Sequence, residues 1–132
     1  MPRIHQEVTF PASPAKVYRA LIESAQHAAF TGSPAEIGAD EGASFSAHGG
    51  KVVGRTLELG PDTRIVQAWR ISDWPAGLYT IARFELLAEG EKTKLVFDHD
   101  GVPEAMAPHL EAGWHRMYWE PLRKYLESGE AV

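Results

Sequence analysis

The sequence predicts an α+β domain: a curved antiparallel sheet of about six to seven strands around a long C-terminal helix, with two short helices after the first strand. Three observations predict it. The last third of the chain carries Leu110, Trp114, Met117, Tyr118, Leu122, Tyr125 and Leu126 at helical spacing, one apolar stripe on a long helix. Before it lies a run of short strand-like segments separated by turn-rich pieces, which reads as an antiparallel meander. At the front, one alternating segment is followed directly by a helix-start signal.

The elements follow in order. Ile4, Gln6, Val8 and Phe10 share one face of a first strand, with His5, Glu7 and Thr9 on the other. Ser13-Pro14 is an N-cap followed by proline at the first helical position, and Val17, Tyr18, Leu21 and Ile22 then recur at helical spacing. Ser24 is placed to cap a second short helix, which ends at the Thr31-Gly32-Ser33-Pro34 turn. Strands are expected over 35–37, 43–48, 51–59, 64–71, 78–88 and 93–100, separated by GADEG, GG, GPD, SDWPAG and EGEK. Parity puts Ile65, Gln67, Trp69 and Ile71 on the face toward the helix, with Thr80, Ala82, Phe84 and Leu86 and with Thr93, Leu95, Phe97 and His99. Small or polar members of these sets leave room inside. Pro121 should kink the last helix, and Trp119 points about 100° away from Tyr118. Gly113 implies either close helix-on-sheet approach or clearance for a ligand.

At 132 residues the chain has the length of one domain, taken as 1–132. With no cysteine it has no disulfide framework and no thiolate chemistry. A net charge of −5 and the lack of any Lys/Arg cluster beyond Arg116, Arg123 and Lys124 argue against nucleic acid as a partner. No apolar run suits a signal peptide or a membrane span, so a cytoplasmic protein is the expectation, with the C-terminal SGEAV a frayed tail. The six histidines show no HExxH spacing, and His99 alternates with Asp98 and Asp100, so no metal or other cofactor is expected. No nucleophile elbow and no phosphate loop occur.

Seven pieces carry a resemblance along nearly the whole chain: AFTGSPAEI at 29–37, DEGASF at 40–45, GGKVVGR at 49–55, LELGPDTRIVQAWR at 57–70, SDWPAGLYT at 72–80, GVPE at 101–104 and GWHRMYWEPL at 113–122. In that order they resemble the START-like, helix-grip superfamily. Within it they resemble the C-terminal domain of the family named for the activator of heat-shock protein 90 ATPase. The eukaryotic activator has a separate N-terminal domain that makes much of its chaperone contact, and this chain shows none. The resemblance therefore implies the helix-grip fold and a ligand cavity before it implies chaperone activation.

Three functions follow as expectations. The first is a non-enzymatic module that binds a small apolar ligand between sheet and helix, lined by Trp69, Thr80, Phe84, Phe97, His99, Trp114 and Tyr118. The second is a module that binds a heat-shock protein 90 ATPase through the loops around Thr31, Trp74 and Val102. The third is a small cavity enzyme, cyclase- or hydrolase-like, with His99 as base and Tyr118 as acid. Edge strands permit either a monomer or a homodimer. The ligand's identity is not written in the sequence.

Overall fold

A computed structural model describes residues 3–38 and 40–128. The terminal tail expected to fray lies, apart from Ser128, outside the described residues. Seven strands form one antiparallel sheet: β1 (Ile4–Phe10), β2 (Glu36–Ile37), β3 (Ser44–Ala47), β4 (Val52–Gly60), β5 (Arg64–Ile71), β6 (Thr80–Glu89) and β7 (Lys92–Asp100). Their spatial order is β1-β7-β6-β5-β4-β3-β2, so the chain opens on one edge and then builds a meander back toward it. Ile4 lies opposite His99 and Phe10 opposite Thr93, the register that brings all the inward residues of β1 and β7 onto one face. β1 alternates perfectly between buried and exposed, as its sequence does.

Helix α1 (Pro14–Ile22) starts at Ser13, whose hydroxyl accepts the Lys16 N–H. Helix α2 (Ser24–Thr31) differs from expectation at its start. Glu23 is the N-cap residue, without a side-chain cap. Ser24 instead accepts the Ile37 N–H at 2.8 Å, tying α2 to the short edge strand β2. Gly32 closes α2 at φ 75°, a left-handed position suited to glycine.

The C-terminal helix is built from α3 (Ala107–Trp114), a π-helical turn (His115–Trp119) and α4 (Glu120–Glu127). The expected kink at Pro121 is replaced by this wide turn. Proline lacks the N–H and its ring crowds the carbonyl four residues back, and widening the turn just before it relieves that crowding without breaking the helix. The turn also resets the phase. Leu110, Trp114, Tyr118, Leu122 and Leu126 are all buried. Spaced at four residues, such a row drifts about 160° around an ideal α-helix. The extra residue in the π turn takes up part of that drift. It also brings Trp119 inward (1% exposed) and turns Met117 outward (43% exposed), against the sequence reading of Met117 as part of the stripe. Trp114 and Trp119 stack at 5.5 Å and 20°, and the Trp119 N–H donates to Gln6 Oε1 at 2.6 Å. The buried Gln6 on β1 thus has a definite partner.

Candidate functional site

Between the middle of the sheet and the C-terminal helix the core is solid. Phe97 packs against Trp114 at 4.3 Å and Trp119 at 5.3 Å, and Phe84 against Phe97 at 5.0 Å. Beside them runs a closed polar chain. Trp114 Nε1–H donates to His99 Nδ1 at 3.1 Å. Indole nitrogen can only donate, so His99 Nδ1 accepts and its proton sits on Nε2, facing Thr80 Oγ1 at 2.6 Å. Thr80 in turn donates to the Trp69 carbonyl at 2.7 Å. Burial pushes His99 down to about 4, so it stays neutral, and both ring nitrogens are spoken for. His99 therefore has no free lone pair with which to act as a base, which removes the residue expected to carry cavity catalysis. Tyr118, the acid of that reading, is held well above its ordinary range by burial.

At the end of the sheet where β4 starts and β5 finishes, the packing opens. A cleft of about 390 Å³ lies there, within the size range of small-molecule sites. The indoles of Trp69, Trp74 and Trp114 and the ring of Tyr118 wall it, and Met106, Leu110 and Met117 line it from the helix side. Gly113 faces it. A Cβ at Gly113 would meet nothing within 4 Å, so this glycine gives clearance and does not serve close approach to the sheet. The 3₁₀ turn His48–Gly50 and Lys51 close one side, with His48 at φ 52° in the left-handed region. Asp73, His109 and Arg116 add polar groups to the lining.

Of the seven expected lining residues, Trp69, Trp114 and Tyr118 meet at this cleft. Phe84 joins Tyr118 only at a separate void of about 10 Å³ that also touches His27. Thr80, Phe97 and His99 line neither space: the first and last are consumed by the polar chain, and Phe97 is filled against by Trp114 and Trp119. The residues that parity missed come from loops and the helix: His48, Lys51, Asp73, Met106 and His109. The only advance signal for them was Gly113 in mid-helix.

The loop candidates are differently placed. Trp74 is 7% exposed and packs edge-on to Trp69 at 5.8 Å, and Arg70 donates to the Trp74, Pro75 and Leu78 carbonyls, pinning the loop. Val102 is fully buried. Thr31 is half-buried and donates to the His27 carbonyl at 3.0 Å. The groups these loops expose include Pro34, Ser72, Asp73, Pro75, Ala76, Tyr79 and Glu104.

Several ring nitrogens have no partner. Trp69 Nε1, both nitrogens of His48, and His27 Nδ1 are sealed from solvent without a hydrogen bond. His27, His48 and Tyr118 form a ring cluster, with His27–Tyr118 at 5.5 Å and His48–Tyr118 at 4.9 Å. Burial, with the neighbouring His48, pushes His27 down to about 4, and burial, then Lys51, lowers His48. Among the described residues no group of three or more His, Cys, Asp or Glu side chains is placed to hold a metal ion. No helix among them is long and apolar enough to cross a membrane.

Comparison with known proteins gives a consistent picture. A family model described as Activator of Hsp90 ATPase homolog 1-like protein matches residues 11–127. The human activator of 90 kDa heat shock protein ATPase homolog 1 is 30% identical over 127 residues, covering 96% of this chain but 38% of its own length. The chain thus spans less than two-fifths of that relative. Among solved structures, an HSP90 activator from Plasmodium falciparum superposes with a TM-score of 0.86 at 21% identity, covering 94% of this chain and 96% of that one. The Aha1 dimer from Colwellia psychrerythraea gives 0.80 at 22% identity, covering 99% and 100%. These likenesses are to the helix-grip fold expected from the sequence.

Proposed function

The chain belongs to the family of activator of Hsp90 ATPase homolog 1-like proteins, and we propose that within that fold it works as a binding module for a small, mostly apolar molecule held in the cleft. The observation that carries this is the opening itself. The sheet and helix pack solidly along Phe84, Phe97, Trp114 and Trp119, yet leave about 390 Å³ walled by aromatic rings at one end. A bicyclic ring seated there buries on the order of 200 Å², as a Trp side chain does. At about 25 cal/mol per Å² that contributes roughly 5 kcal/mol before the costs of association. Even before those costs 5 kcal/mol corresponds to a Kd of about 0.2 mM, so an affinity near millimolar is expected for a simple ring.

The test fills the cleft from the helix. Gly113→Leu adds a side chain where open space stands, and leucine favours the helix over glycine. Titration of the wild-type protein with neutral 2-naphthalenemethanol should quench the tryptophan fluorescence saturably, and Gly113→Leu should abolish this with no loss of melting temperature. Undiminished binding by Gly113→Leu would place the ligand elsewhere and sink the assignment.

A second reading is favoured by the 30% identity to the human activator: contact with a heat-shock protein 90 ATPase through the loops at Thr31, Trp74 and Val102. Because Trp74 and Val102 are buried, such a contact would use the neighbouring exposed groups Pro34, Asp73, Pro75 and Glu104. A nitrogen-15 NMR titration with an unlabelled heat-shock protein 90 tests it. Broadening confined to these loops supports the contact, and an unchanged spectrum at high chaperone concentration removes it.

A further inference from the structure

An apolar occupant leaves part of the cleft unexplained. Trp69 is 3% exposed, and its Nε1–H has no partner. Both nitrogens of His48, on the same cleft, are sealed without partners too. An unpaired buried polar group costs about 1–3 kcal/mol, so groups left this way at the wall of an opening need a reason. Indole N–H is a donor only, and imidazole becomes a donor at both nitrogens when it takes up a proton. A group that only accepts and has two oxygens takes the Trp69 N–H on one oxygen and one N–H of a protonated His48 on the other.

The charges agree. Lys51 and Arg116 line the cleft, and among the described residues Asp73 is the single carboxylate on its lining, in a chain whose net charge is −5. A local excess of positive charge on an acidic protein selects for an anion at that point. The walls select the rest of the molecule: indole and phenol faces favour a flat ring system in stacked or edge-on contact.

We propose that the cleft takes a planar apolar carboxylate, its rings among Trp69, Trp74 and Trp114 and its carboxylate held by the Trp69 N–H and one N–H of a protonated His48, atoms sealed in the empty cleft that the ligand uncovers as it seats, with Lys51 beside them; this rests on the binding reading above. In the empty cleft His48 is kept neutral by burial and by Lys51. The bound anion reverses that balance, so binding draws a proton onto His48. The groups that face His48 are His27 from α2, at 6.1 Å between ring centroids, Tyr118 from the π turn and Lys51 from its own turn. None of these three is an anion in the neutral range. Asp73, His109 and Arg116 share the cleft.

The experiment compares 2-naphthoate with 2-naphthalenemethanol, the same ring with and without charge, by calorimetry and tryptophan quenching. Naphthoate should bind about tenfold tighter, as one charge-assisted hydrogen bond supplies. Its affinity should rise as the pH falls from about 8 to about 6, the range in which imidazole charges, while that of the alcohol stays flat. Calorimetry in buffers of different ionisation enthalpy should show proton uptake with naphthoate only. His48→Asn is tolerated at a left-handed backbone position and cannot take the proton. It should erase both the preference and its pH dependence, whereas His115→Gln, on an exposed position off the cleft, should change nothing. Should His48→Asn melt early, Trp69→Phe reads the same preference through loss of the N–H. Equal binding of the two probes, or a preference that survives His48→Asn, overturns the inference and leaves the binding reading standing. Failure of both probes to bind overturns the two together.

Discussion

Acidification should destabilise this protein well above the pH at which carboxylates ordinarily titrate, and the size of the effect can be worked from two buried imidazoles. His99 and His27 are 0% and 3% exposed, and burial pushes each from 6.5 down to about 4. The unfolded chain takes up both protons near pH 6.5, whereas the folded chain resists until about pH 4. In that window the unfolded state binds more protons, so stability rises with pH and is lost as pH falls. Each group contributes about 1.4 kcal/mol per pH unit, so the two together give a slope of nearly 3. Between neutrality and about pH 5 the loss comes to roughly 4 kcal/mol, a large share of the ~5–15 kcal/mol of a typical domain. His48, lowered for the same reason, adds in the same direction. His5 opposes: it sits between Asp98 at 2.7 Å and Glu7 at 2.9 Å, and these bonds raise it, so its contribution is present at low pH and fades as pH rises. It is half-exposed, and the solvent-screened pair cannot offset two buried rings. Urea unfolding at a series of pH values measures the slope, and His27→Phe, which keeps a ring without a titrating group, should roughly halve it. A stability unchanged within about 1 kcal/mol between pH 7 and pH 5 would refute the reasoning. So would His27 and His99 ring resonances that titrate near the ordinary 6.5.

Other perturbations have equally definite outcomes. Gly54→Ala on β4 would place a Cβ 1.9 Å from the Ala68 carbonyl and 2.7 Å from the Phe45 ring; a loss of about 3 kcal/mol or more is expected in denaturant melts. Trp74→Ala removes a buried ring packed on Trp69, so it should cost about 3 kcal/mol and lower the melting temperature. Gly113→Ala, with open space at the Cβ, should stabilise by about 0.5–1 kcal/mol through helix propensity alone.

The strands were legible because burial of one sheet face writes itself as period two. β1 reads Ile4, Gln6, Val8, Phe10 inward, and β7 reads Thr93, Leu95, Phe97, His99 inward, in both sequence and structure. The helix was legible as an element and misread in phase. Periodicity assumes a constant angle per residue, and the π turn before Pro121 breaks that assumption, exchanging Met117 for Trp119 at the core. Ser24 shows the same limit at a smaller scale. A serine at a helix start satisfies the pattern for a cap, but the unpaired Ile37 N–H of an edge strand 13 residues away is what it meets.

The site was less legible than the fold for a reason of the same kind. Parity picks residues that face inward, and an inward residue can end in a cavity, in a solid core or in a polar chain. Thr80 and His99 are the instructive pair. Their polarity suggested room inside, yet their polar atoms are used against each other, against Trp114 and against the Trp69 carbonyl. A satisfied polar group in a core marks closure, and it is the unsatisfied one that marks an opening. By that criterion the same sheet face separates into two parts. Both ring nitrogens of His99 and the Trp114 N–H are matched, and the packing on that side is closed. Two strands further on, Trp69 offers its carbonyl to Thr80 and leaves its indole N–H without a partner, in a cleft that His48 also lines. The change occurs where the helix presents Gly113 in place of a side chain, and there the grip of sheet on helix becomes a cleft.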